Sequence, residues 1–358
     1  MKKSWLITGI SVLLFVGVAG IAIYYFSPAQ KLQRHGYSAT ESTVILEKVN
    51  PETVTIILSH DHHPDFVNLV QDANFDSSKV EIYLSALEKH QLDAAETVAL
   101  VNHPDYDVEH IYSLQMLNIM QSPNYLSDRR ERYFAQLAEY QASDDLTTIS
   151  TTQLISLVNA NRDYEFYTHT QPAAVEHGPL VLVNKYYYLE PDFHPESVTI
   201  NAAYGTPGIT MDITAYQQFE KLYTAALAAG FQLYVTSGYR SYEEQESVFQ
   251  SWVEQVGAAD APNYAAKPGF SEHQTGYALD VFVPGSTTAD FATTPAAKWL
   301  ADHAPEFGFI LRYPEDKVDL TGYSHEAWHL RYVGLEHAAA ITEQDLSLEE
   351  YAVLNRYI

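Results

Sequence analysis

The 358-residue chain contains no cysteine. Disulfides, thiolate metal sites, a cysteine nucleophile and a lipid-modified cysteine anchor are therefore excluded, and any metal must be held by histidine and carboxylates. Basic residues are scarce: 20 Lys and Arg stand against 46 Asp and Glu, a formal charge of −26. A surface that acidic repels phosphate backbones and argues against a nucleic-acid partner. No serine is followed three residues later by lysine, and neither G-x-S-x-G nor a phosphate-cradling glycine motif occurs. Serine nucleophiles of those two kinds and P-loop chemistry are thereby removed.

What is present reads as globular: 46% hydrophobic, 13% aromatic, with 27 tyrosines, and long enough for two domains with a sizeable core. Residues 4–26, SWLITGISVLLFVGVAGIAIYYF, carry no charge. At 1.5 Å per residue such a run can cross a hydrocarbon layer of about 30 Å, with Trp5, Tyr24 and Tyr25 as interfacial aromatics. It is longer than the apolar core of a cleaved signal peptide and lacks a small-x-small end, so an uncleaved membrane anchor is expected, within a flank of residues 1–35.

Residues 36–170 read as an all-α, repeat-like domain. "YLSALEKHQLDAAETVALVNHPDY" (83–106) and "YFAQLAEYQASDDLTTISTTQLISLVNANRDY" (133–164) each open on an aromatic, place Leu four residues on, and close on Leu-Val-Asn before a Tyr. A packed helical domain, or a module for a wall or protein partner, accounts for this pattern. The same region holds "SHDHHPDF" (59–66), whose histidines suggest a metal cluster. Adjacent residues point in different directions, and Pro64 follows at once, so a structural turn is the reading adopted.

The texture changes from about 176, within a third domain expected over 171–358. "GPLVLVNKYYYLEPDF" (178–193) reads as a strand. Residues 211–230 read as an amphipathic helix, with Ile213, Phe219, Leu222, Tyr223 and Ala226 on one face and Gly230 just past its end. A strand follows at 231–238. A helix then starts at Ser241, with Glu244 completing a capping box. Ser237, Tyr239 and Arg240 thus lie on a short strand-to-helix loop, a common place for function. In "SEHQTGYALDVFVPG" (271–285) Asp280 sits inside an apolar strand, and a buried carboxylate is costly unless paired or metal-bound.

"SHEAWHL" (324–330) fits two templates. In H-E-x-x-H, His325 and His329 share a helical turn, hold zinc and leave Glu326 as base, with Glu349 a formal third ligand. In E-x-W-H only Glu326 and His329 matter. Tyr323, Trp328, Tyr332 and Val333 favour strand over the helix the first template needs, yet on these letters alone both stand.

Taken together, S-x-H-x-x-G-x-A-x-D (Ser271, His273, Gly276, Ala278, Asp280), E-x-W-H (Glu326, Trp328, His329), "LVNKYYYLEPDF", "SGYRSYEEQ" and "RYVG" resemble the zinc D-alanyl-D-alanine carboxypeptidases. These are the VanY-like members of the superfamily that includes lysostaphin-type peptidases and hedgehog domains. The likeness spans about residues 180–340. It implies an α+β, hedgehog/D-Ala-D-Ala-peptidase-like catalytic domain with a small antiparallel sheet flanked by helices, placed after the helical region and the anchor. It also implies a Zn2+ cofactor on His273, Asp280 and His329, with Glu326 as general base and His325 a bystander. Arg240 would bind the substrate or its transition state, with Gln245 and Ser271 assisting and Trp328 lining the site or packing beneath it.

The implied reaction removes C-terminal D-alanine from peptidoglycan stem peptides at the cell membrane of a bacterial envelope, with the catalytic domain outside. An L,D-carboxypeptidase, a wall endopeptidase or a non-catalytic zinc-bearing module would use the same scaffold. One structural demand follows. In a regular strand, positions 326 and 329 face opposite ways, so the chain must bend near Glu326. The two templates separate cleanly by experiment. His325→Ala leaves zinc content intact under E-x-W-H and lowers it under H-E-x-x-H, as read by metal analysis of the purified protein.

Overall fold

The computed structural model describes residues 27–142 and 149–358; the anchor expected at 4–26 lies outside the described residues. Among the described residues no helix is long and apolar enough to cross a membrane. The chain divides into two compact units at Ser127/Asp128.

In the first unit, helices Pro28–His35, Ala39–Lys48, Thr53–Ile57, Phe66–Gln71, Val80–Lys89, Ala94–Asn102 and Leu114–Met120 follow one another. Capping boxes start two of them, Ser38 with Glu41 and Asp93 with Glu96. Leu32, Ile45, Ile57, Phe66, Leu69 and Tyr83 fill the core. The repeat seen in the letters has a physical basis. The aromatic that opens each copy hydrogen-bonds to the asparagine that closes it: Tyr83 Oη donates to Asn102 Oδ1 at 2.9 Å, and Tyr133 Oη to Asn159 Oδ1 at 2.6 Å. A basic residue four positions before each tyrosine joins in. Lys79 donates to Asn102 Oδ1, and Arg129 to the Asn159 carbonyl. The histidine-rich stretch is a loop. His60 pairs with Glu88, His62 lies against the Tyr37 ring, and His63 Nδ1 accepts from the Asp65 amide.

The second copy of this repeat belongs to the second unit. Its helices Arg130–Ala142 and Thr151–Asn159 pack together, and the latter also packs against the carboxy-terminal helix Leu348–Leu354. Strands β1 (Gln171–Pro172) and β2 (Tyr187–Tyr188) form a short parallel pair, and β3 (Ser197–Thr199) and β4 (Thr210–Asp212) an antiparallel one. Strands β5 (Tyr234–Ser237), β6 (Ala278–Phe282), β7 (Phe309–Leu311) and β8 (His329–Tyr332) build an antiparallel sheet in the order β5-β6-β8-β7. The fold is α+β, as expected. The strand expected over 178–193 is not: only Tyr187–Tyr188 pairs. Pro179 and the Asn184 side chain, which accepts from the amides of Tyr186 and Tyr187, bend the run. It is buried as an irregular segment whose carbonyls at 179 and 181 accept from Arg331.

Alternation along the sheet decides what each face does. Val235, Leu279, Val281, Leu330 and Tyr332 turn to one side and pack with Phe219, Leu222 and Ala226 of the helix Ile213–Ala228. That helix begins at Asp212, whose carboxylate accepts from the amides of Thr214 and Ala215. It ends in a Schellman pattern at Gly230, with Phe231 N bonding the Ala226 carbonyl and Gly230 N the Leu227 carbonyl. Ile213, expected on the buried face, is 43% exposed at the helix's first turn.

The opposite face of the sheet carries Asp280, His329 and Arg331. Beneath it lies a closed ionic network. Arg312 donates to Glu272 at 2.7 Å and to both oxygens of Glu349 at 2.9 and 2.7 Å, Arg331 donates to Glu272 at 2.7 Å, and Asn184 donates to Glu349. All four charged side chains are buried. Two guanidinium groups balance two carboxylates, so removing one leaves a buried charge uncompensated. Glu349→Ala is therefore expected to destabilise the second unit by about 3–5 kcal/mol, measured by chemical denaturation.

Candidate active site

Asp280 on β6 stands directly opposite His329 on β8, and Ser237 on β5 is the partner of Asp280 on its other side. His329 Nδ1 lies 3.0 Å from Asp280 Oδ1. His273 comes from a short helical turn, Glu272–Thr275, that ends at Gly276 in the left-handed region (φ 76°). Its Nδ1 donates to the Gly238 carbonyl at 2.7 Å, which fixes the tautomer and aims Nε2 at Asp280 Oδ2, 3.4 Å away. Position 238 must be glycine for this, since a Cβ there would stand 2.5 Å from the Thr210 carbonyl oxygen.

One donor atom from each of His273, Asp280 and His329 lies within 4.8 Å of the others; among the described residues this is the one such group of three or more. Zinc bonds of about 2.0–2.1 Å place tetrahedral donors about 3.3 Å apart; His329 Nδ1 at 3.0 Å from Asp280 Oδ1 and His273 Nε2 at 3.4 Å from Asp280 Oδ2 lie near that spacing, each imidazole facing a different oxygen of the carboxylate. Two imidazoles and one carboxylate, opening on a cleft, are the donor set of a catalytic zinc site. The electrostatics agree. Burial opposes charge on Asp280, yet the two imidazoles hold its carboxyl well below the usual range. Burial also opposes charge on His329, but its bonds to Asp280 and Glu272 outweigh this and push it up to about 9. The pocket favours a positive charge, which a proton or a metal ion satisfies.

The bend demanded near Glu326 is there. The His329 amide donates to the Glu326 carbonyl at 3.1 Å, a tight turn that precedes β8. Glu326 Oε2 consequently lies 3.9 Å from His329 Nδ1. Burial pushes the Glu326 carboxyl up, with His329 opposing and Asp280 adding to the shift. His325 does not join: its Nδ1 donates to the Tyr313 carbonyl at 2.9 Å. Glu349 is committed to Arg312 and Asn184. The segment 325–328 is a turn, not helix, so the H-E-x-x-H arrangement is not built.

Arg240 lies on the expected loop, its amide bonded to the His273 carbonyl. Its guanidinium donates to Gln245 Oε1 at 2.7 Å and Ser237 Oγ at 2.9 Å, and among the described residues it makes no ion pair with a carboxylate. Gln245 is itself held by the Ala266 carbonyl. Arg240, Gln245, Ser271 and Trp328 line one cleft of about 700 Å³ together with His273, Asp280, His329 and Glu326. Trp328 also stacks on Phe282.

The letters 271–273 gave no sign of the part played by Glu272. The structure buries it. Its Oε2 faces His329 Nε2 at 3.5 Å, and neither atom has another hydrogen-bond partner. Despite burial, Arg312 and Arg331 hold its carboxyl well below the usual range. A carboxylate behind a ligating imidazole orients the ring and raises its basicity.

Residues 208–335 match the family model described as VanY, D-alanyl-D-alanine carboxypeptidase. The bifunctional D-Ala-D-Ala dipeptidase and D-Ala-D-Ala carboxypeptidase VanXYC of Enterococcus gallinarum is 35% identical over 177 residues, 48% of this chain and 92% of that protein. A D-alanyl-D-alanine carboxypeptidase of Enterococcus faecium is 42% identical over 136 residues, 38% of this chain. The chain spans 66%, 41% and 56% of the length of three curated relatives, this last protein being the second. Among solved structures, the LdcB LD-carboxypeptidase is 35% identical over 51% of this chain and 90% of that one (TM-score 0.48). A vancomycin-resistance D,D-pentapeptidase VanY in complex with Zn(II) is 36% identical over 48% and 98% (TM-score 0.43).

The placing of Glu272 is testable apart from activity. Glu272→Gln is expected to weaken zinc binding about 10–100-fold in a chelator competition titration. Glu349→Gln, which disturbs the same Arg312 but touches no ligand, is expected to lower stability and leave zinc affinity near that of the unaltered protein.

Proposed function

The chain belongs to the VanY D-alanyl-D-alanine carboxypeptidase family, and we propose that it is a zinc-dependent carboxypeptidase that removes the terminal D-alanine of peptidoglycan stem peptides. One observation carries this reading: His273, Asp280 and His329 converge beside Glu326 in a cleft that also holds Arg240, which among the described residues makes no ion pair with an acidic side chain. The three side chains would hold the ion, and the orphaned Glu272–His329 contact behind them fits a loaded site. Zinc, when bound there, supplies Lewis-acid polarisation of the scissile carbonyl and makes an attacking water more acidic.

The chain's own groups do the rest. Glu326, buried and close to His329, takes the proton of the attacking water and delivers it to the departing amine. Its raised pKa suits a group that must both accept and release a proton. Arg240 is held open by Ser237 and Gln245, so its fork is pre-arranged for the terminal carboxylate of a peptide. Residues 4–26 would tether the enzyme to the membrane with the catalytic unit on the outer side, where its substrate is. A wall or protein partner would meet the helical region 36–170. The LdcB enzyme is an LD-carboxypeptidase, and the D,D choice made here follows the family match and the two Enterococcus relatives.

Glu326→Ala is expected to keep zinc and the fold while release of D-alanine from a D-Ala-D-Ala peptide falls by at least about 10²-fold. Release from the unaltered protein should stop with a chelator and return with zinc. D-alanine release at the original rate by Glu326→Ala would overturn the assignment of the base, and cleavage of only L,D-linked tetrapeptides would overturn the bond specificity.

A further inference from the structure

Lys185 is a buried cation that the chemistry above does not use. It is 4% exposed, yet it lines the cleft. Its ammonium lies 3.9 Å from the centre of the Phe166 ring and 4.7 Å from that of Tyr323. Among the described residues the ammonium has neither an ion-pair partner nor a hydrogen-bond acceptor. Its neighbour in charge is another cation. Arg162 sits over the other contact of the Phe166 ring at 4.9 Å and donates to the Asp319 carbonyl and Tyr186 Oη, not to a carboxylate. Burial, with Arg162 adding to it, lowers the Lys185 pKa to about 8. In a chain with more than twice as many acidic as basic residues, two cations grouped without an anion are a feature to be explained. Ring faces attract an ammonium but do not neutralise it.

The position is built, not incidental. The Asn184 side chain accepts from the amides of Tyr186 and Tyr187 and donates to buried Glu349, which fixes the turn that presents Lys185. The Tyr323 ring under the ammonium packs on Tyr313 at 4.7 Å, and Tyr313 on the His329 ring at 4.9 Å. Lys185 thus approaches the metal group from the His329 side. Arg240 approaches it from the side of Ser237 and His273. One cleft therefore presents two separate cationic positions, reached through different ligands.

We propose that Lys185, with Arg162 beside it, binds a second carboxylate of the substrate, one carried on the acyl side of the bond to be cut. The assignment rests on the carboxypeptidase reading, in which Arg240 takes the terminal carboxylate. The enzyme then selects peptides with an acidic group upstream over the same peptides with that group amidated. A lysine suits this task, because it is a compact charge that an amide cannot match.

Binding to the Glu326→Gln protein keeps the peptides intact and separates this proposal from the cleavage reading. Calorimetry would use zinc-loaded full chain and N-acetylated peptides ending in D-Ala-D-Ala, in pairs carrying Glu or Gln at the first or second position upstream of the two alanines. The Glu peptide is expected to bind about tenfold or more tightly than its Gln partner at one of the two positions. Lys185→Met should abolish that preference, leave the Gln-peptide affinity nearly unchanged, and not lower the melting temperature, since it removes an unpaired buried charge. Equal binding of both partners at both positions, a preference that survives Lys185→Met, or no binding of any peptide would overturn the proposal. A lowered melting temperature with the preference retained would mark Lys185 as a structural residue and overturn it as well. Failure to cleave these peptides with Glu326 in place would instead count against the carboxypeptidase reading.

Discussion

The cross-strand pair of Asp280 and His329 is the constraint on which the second unit depends. An ionised carboxylate in the middle of an apolar strand is unstable unless positive charge meets it. Here the register of β6 against β8 brings an imidazole to it at 3.0 Å, and the turn Glu272–Thr275 brings another to 3.4 Å. Register and chemistry are thus the same fact. A slip of one residue between β6 and β8 would turn His329 into the apolar core and Leu330 into the cleft. The helix-packed face, with Leu279, Val281, Leu330 and Tyr332, holds that register in place.

Behind the pair lies a second layer of charge. Glu272 joins His329 to Arg312 and Arg331, and Arg312 joins these to Glu349 near the carboxy terminus. The metal-facing ring is therefore braced through side chains drawn from the sheet, the irregular segment near 180 and the carboxy-terminal helix. A site held by secondary structure on one side and by a closed ionic network on the other is pre-organised, with little rearrangement required as charge develops. Such a network contributes more to fixing geometry than to net stability, because burying four charges costs about what their pairing returns.

The three side chains that the structure brings together, His273, Asp280 and His329, are the ones the family resemblance implied from its short motifs. Asp280 stood out because a carboxylate contradicts its apolar strand. The ambiguity of "SHEAWHL" came from local letters fitting two turns equally. It is resolved by the Tyr313 carbonyl, which takes His325, and by the turn that carries Glu326 to His329. What stayed hidden depends on distant partners. Glu272 is buried by arginines 40 and 59 residues away, and nothing beside it in the chain signals this. The run 178–193 has strand composition, but Pro179 and the Asn184 turn prevent a ladder. The grouping of helices into units was equally invisible. Thr151–Asn159 resembles the first-unit repeat in sequence and packs with Arg130–Ala142 and with Leu348–Leu354.

The central claim is that two imidazoles and one aspartate meet on a single divalent ion. X-ray absorption at the zinc edge of protein loaded with one equivalent of zinc tests it most directly. The account predicts nitrogen and oxygen neighbours at about 2.0–2.1 Å with the scattering signature of two imidazoles, and one imidazole fewer in the His273→Ala protein. A signature of three imidazoles, or a spectrum unchanged when His273 is removed, would contradict it.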